Sequence, residues 1–84
     1  MQSYFFHLRN GKDVLLDAEG RLLELADIDA AALKEARAII ASDISDGSID
    51  LDQGIEVQDR SGEVVNRTAF RDAVQITLGG RRLY

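Results

Sequence analysis

His7 is the single histidine of an 84-residue chain. Imidazole is the one side chain that titrates near neutrality without help, so His7 is the first candidate for a general base or a metal ligand. It lies inside the aromatic run Tyr4-Phe5-Phe6-His7-Leu8. The alternative is a half-buried strand histidine that donates to a nearby carbonyl or carboxylate. A zinc site draws on three or four protein ligands, and this chain has one histidine and no cysteine, so no metal ligands are assigned. Acids gather in two places: Asp13, Asp17 and Glu19, and then Asp43, Asp46, Asp50 and Asp52. Oxygen-rich loops suit hard cations. Asp46-Gly47-Ser48-Ile49-Asp50-Leu51-Asp52 nevertheless lacks the alternating ligands and closing glutamate of a calcium loop, and the acids read as turn and cap residues.

Nucleophilic chemistry finds little support. Ser3, Ser42, Ser45, Ser48 and Ser61 all lie outside a Gly-x-Ser-x-Gly context, and one histidine would have to serve any triad. Gly79-Gly80 has neither the lysine nor the following helix of a phosphate loop. Tyr4, Phe5 and Phe6 could stack bases, but RNA-binding sheets interleave such aromatics with basic residues, and only Arg9 is close. The expectation is a protein that is not an enzyme, with no catalytic residues and no cofactor.

These residues need elements to position them. In the first run, strand alternation sets Tyr4, Phe6 and Leu8 on one face and Phe5, His7 and Arg9 on the other. The first set is the core candidate; the second is the candidate interaction surface. Asn10-Gly11 predicts a hairpin turn, and Val14-Leu15-Leu16-Asp17 the returning strand. Asp17-Ala18-Glu19-Gly20 is a second turn, and Leu22-Leu23-Glu24-Leu25 fits either a short strand or a lead-in to a helix.

From Asp27 the period becomes helical, with Ile28, Leu33, Ala36, Ile40 and Ile44 on one stripe, supported by Ala32 and Ile39. Asp27 or Asp29 can cap its start, and Asp46-Gly47 supplies its stop, placing a helix at about residues 28–46. Ile55-Glu56-Val57-Gln58-Asp59 alternates with Ile55 and Val57 inward, Asp59-Arg60-Ser61-Gly62 turns, and Val64 to Thr68 returns. Ala69 to Val74 suits one helical turn packed through Phe70 and Val74. Gln75 to Leu78 suits a short strand or a loose tail.

The predicted fold class is therefore α+β: an antiparallel sheet of two hairpins, four or so strands, with one helix across one face, in the order ββαββ plus a short C-terminal element. Residues 1–78 form a single domain and 79–84 a tail. One helix covers one face, so the face carrying Phe5, His7 and Arg9 is either polar enough for water or meets a partner.

Composition narrows the partners. Fifteen acidic against ten basic residues give a net charge of −5, which argues against nucleic acid, since duplex binding needs a basic face. The one dense basic pair is Arg81-Arg82. No apolar run approaches the ~18 residues of a membrane span. The first residues lack the charge and apolar core of a signal peptide, which with the absence of cysteine fits the cytoplasm. With neither disulfides nor proline, a chain this short must rely on one compact core, possibly completed by a second copy.

The ordered motifs resemble an uncharacterised family of short bacterial proteins, a domain of unknown function. They are the opening Tyr4-Phe5-Phe6-His7-Leu8, the Asn10-Gly11 turn, Asp17-Ala18-Glu19-Gly20, the alanine-rich helix, Asp59-Arg60-Ser61-Gly62 and Phe70-Arg71-Asp72-Ala73-Val74. The resemblance covers roughly residues 3–76, with Ala69 standing where proline is frequent in the family. It implies a class of protein and leaves the activity open. The functional expectation is an interaction module acting as a homodimer, with an unidentified protein partner as a further possibility. The alternatives are an antitoxin-like regulator that binds a toxin or its own operator, by fold analogy alone, and a small-ligand or metal module using His7.

Overall fold

The computed structural model describes residues 1–83. Alternating apolar residues lay down strand β1 (Gln2–Asn10), and three further strands pair with it antiparallel. β2 (Asp13–Leu15) and β3 (Arg21–Leu23) share one of its edges, taking its C-terminal and N-terminal parts respectively. The other edge pairs with β4 (Gln53–Gln58), which in turn pairs with β5 (Val64–Ala69). The main path across the sheet is β2-β1-β4-β5, and helix α1 (Ile28–Ser45) packs on one face. The α+β architecture with its ββαββ order is as expected, with β3 added beside β2. A second helical turn, α2 (Phe70–Ala73), and a small hairpin of β6 (Thr77–Leu78) and β7 (Arg81–Arg82) follow. Gly79-Gly80 is thus the turn of a hairpin that crosses position 78.

Alternation places the core. Tyr4 and Phe6 from β1 and Ile55 and Val57 from β4 are buried under α1. They meet Ile28, Ala32, Ala36 and Ile40, which recur every four residues on one stripe of the helix. Ala32 and Ala36 are fully buried, and their short side chains let α1 lie low over the sheet. The expected stripe member Ile44 is 58% exposed, because the helix runs a further turn beyond its last buried residue, Ile40. Two ties fix the helix laterally: Asn66 donates to Asp29 (2.7 Å), and Arg37 Nε donates to the Ala73 carbonyl (2.9 Å).

Two local expectations are corrected. The first hairpin turns at Gly11-Lys12, with Asn10 still paired to Asp13. Gly11 has φ 61° and no non-glycine residue described here has positive φ, so this is the turn with glycine at its first central position. The start of α1 has no side-chain cap from Asp27 or Asp29. A 3₁₀ turn (Leu25–Asp27) leads into the helix and leaves Asp27 itself in the helical region. An aspartate caps well from extended backbone, so the carboxylate is not presented.

Gly20 is the most tightly enclosed glycine. It has φ 71°, and a Cβ there would sit 2.8 Å from the Phe5 ring and 3.1 Å from the Tyr4 carbonyl oxygen. Gly20→Ala should destabilise the protein by about 1–2 kcal/mol from the left-handed backbone alone, with the clash added. Urea denaturation checks this; Gly11→Ala, where a Cβ meets nothing within 4 Å, isolates the backbone share.

Candidate functional site

Phe5, His7 and Arg9 do share the face opposite α1, since Tyr4 and Phe6 between them point into the core. Their surroundings differ. Phe5 is half-buried, with its ring against Gly20. His7 is 7% exposed, and Arg9 is the exposed member. The second strand edge explains His7. Between β2 and β3 the chain bows past the middle of β1, and Asp17 at the apex binds it twice. The Asp17 amide donates to His7 Nδ1 (2.9 Å), and the Phe6 amide donates to Asp17 Oδ2 (3.1 Å). Oδ1 accepts from the Glu19 and Gly20 amides, closing the turn on itself. With Nδ1 accepting, the neutral ring carries its proton on Nε2. At Nδ1, His7 thus accepts from the backbone and does not donate.

Burial tends to raise the Asp17 carboxyl pKa. The amides of Phe6, Gly20 and Glu19 and the charge of Arg21 outweigh that and hold it below the ordinary aspartate value.

Across the sheet from His7, in direct register, stands Glu56. It is 4% exposed although no helix covers this face. Arg9 lies across it with Nη1 2.5 Å from Oε2, Arg67 Nη2 reaches within 4.0 Å of Oε1, and Gln58 Nε2 lies 3.5 Å from the same oxygen. Burial pushes the Glu56 carboxyl up, but the Arg9 hydrogen bond and charge, with Gln58 and Arg67, bring it below the usual glutamate range. The residues now grouped with the predicted trio, Glu56, Arg67 and Gln58, come from β4 and β5. Alternation around Ile55 and Val57 puts Glu56 on this face, but only the β1–β4 register brings it to Arg9 and His7.

The acids named from sequence are dispersed. Asp50 accepts from the Asp52 amide, and Asp52 pairs with Arg71 at the rim. Asp59 takes the Ser61 hydroxyl and the amides of Ser61 and Glu63, the work of a turn. Among the described residues no three His, Asp or Glu side chains come together as a metal would need. Every buried side-chain nitrogen and oxygen described has a hydrogen-bond partner.

The helix-side surface has a second feature. α1 lies over β4 and β5, leaving a groove of about 400 Å³ beside it. Phe6, Leu8 and Ile55 form its floor, Glu35 and Ile39 of α1 one wall, and Leu15, Leu16 and Arg21 the other. Arg21 spans it, 4.1 Å above the Phe6 ring and 2.9 Å from Glu35. Leu15 and Leu16 are each 70% exposed at the rim.

No helix among the described residues is long and apolar enough to cross a membrane. Compared with known families, the chain matches over residues 3–71 a model described as "Domain of unknown function (DUF6894)". No curated protein and no solved structure matches it.

Proposed function

We propose that this chain, which belongs to the DUF6894 family, is a non-enzymatic protein–protein interaction module of the cytoplasm that works as a homodimer. The observation that carries the reading is the exposed apolar rim of the groove beside α1. Leu15 and Leu16, each 70% exposed, lie beside a groove floored by Phe6, Leu8 and Ile55 and spanned by Arg21. Adjacent exposed leucines at a sheet edge offer apolar contact to another molecule. The face with Phe5, His7 and Arg9 would contribute differently. Its exposed member, Arg9, with Arg67, offers polar contact around a buried carboxylate. The edge would supply the apolar contact.

The polar groups on the open face already have partners, which leaves the groove rim to supply the contact: His7 accepts from the backbone and Glu56 is held by two arginines. Sedimentation equilibrium of the full chain tests the assembly. The expected result is twice the chain mass at micromolar concentration; a single-chain mass up to high micromolar overturns it.

A further inference from the structure

We infer that the groove beside α1 receives the β6–β7 hairpin of a second copy of this chain, each protomer lending its hairpin to the other; this rests on the homodimer reading. The hairpin has the surface of a part that docks elsewhere. Every residue from Thr77 to Leu83 is exposed, including Leu78 at 71% and Leu83 at 56%. Between and beside these leucines stand Arg81 and Arg82, whose side chains make the hairpin strongly basic in an acidic protein. The groove is the complement. Its exposed surface is mostly polar over a floor of Phe6, Leu8 and Ile55, and its lining includes Asp17, Glu19 and Glu35 against the single cation Arg21. Opposite charge on the two surfaces selects the partner and steers its approach.

The hairpin does not fill the groove of its own chain: none of its residues lines it. Glu35 lines the groove, whereas Arg37 holds Ala73 of α2. These positions are two residues apart on α1, about 200° around it. The groove and the root of the hairpin therefore flank opposite sides of the helix. Residues 74–76 alone link α2 to the hairpin. The four Cα–Cα steps from Ala73 to Thr77 span at most about 14 Å, little more than the ~10–12 Å width of the helix they would have to go around. A second copy has no such constraint. One knob and one groove per protomer close on each other about a two-fold axis and leave neither exposed.

A charge exchange tests this. Arg81→Glu with Arg82→Glu reverses the hairpin, and Glu19→Lys with Glu35→Lys reverses the groove. Each double variant alone should sediment at half the wild-type mass, with unchanged far-UV circular dichroism. An equimolar mixture restores opposite charge at both seats and should return the full dimer mass. Leu78→Ser, at an exposed position, should halve the mass as well. If the variants remain dimeric alone, or the mixture stays monomeric, the hairpin is not the occupant, while a dimeric wild type leaves the homodimer intact. If the wild type itself is monomeric, both readings fall.

Discussion

Replacing Phe70 by alanine should cost about 3–5 kcal/mol, the range for deleting a fully buried phenylalanine. Phe70 is 0% exposed and opens α2, a helix of four residues that has no stability of its own. The ring joins the cluster formed by Ile28, Ala32, Ala36, Ile55 and Val57. The small alanines of α1 cannot swell to fill the space, so a cavity remains and its cost adds to the lost transfer energy. Domains of this size have a total stability of roughly 4–13 kcal/mol, so the variant should lose a large share of it. Its Tm should fall by about 15 °C or more. Thermal and urea denaturation decide the matter. A loss below about 1 kcal/mol, the scale of a surface change, would mean that α2 does not pack here.

Residues that signal through their neighbours in sequence were readable before the structure. Alternation identified Tyr4, Phe6, Ile55 and Val57 as inward, and all four are buried. The helix expected at about 28–46 spans Ile28–Ser45. The helical turn after β5 is present, with Phe70 and Ala73 buried and Val74 half-buried. What escaped depends on partners distant in the chain. Leu22 and Leu23 look the same whether they extend a hairpin or enter a helix; only the free N-terminal edge of β1 makes them a strand. His7 and Asp17 are both conspicuous, yet their bond requires the chain between β2 and β3 to bow against β1. Glu56 reads as the polar member of an alternating strand, and alternation says nothing of the two arginines that bury it. The candidate face was therefore legible as a set of side chains, and its charge network was not.

That network makes Arg9 the exposed residue with the most to lose. Arg9→Met keeps the aliphatic stem that lies on the sheet and removes only the guanidinium. Glu56 then stays buried with Arg67 at 4.0 Å and Gln58 at 3.5 Å as its remaining partners. Stripping one partner from a buried ion pair costs about 3–5 kcal/mol. The surviving partners and the half-exposed position of Arg9 reduce this to about 2–3 kcal/mol at pH 7. The pH dependence identifies the cause. In the wild type the Glu56 pKa is lowered in the folded state. Its contribution is therefore complete above the unfolded value of about 4.3 and is lost as pH falls through the folded one. In Arg9→Met, burial dominates and the folded pKa rises. The carboxyl then burdens the fold as pH climbs above the unfolded value, and protonation relieves it. The gap between the two proteins should be widest at pH 7 and should narrow below about pH 4. Urea denaturation across that range measures it. A deficit of constant size would place the Arg9 contribution in packing, and Glu56 would then be held by Arg67 and Gln58 alone.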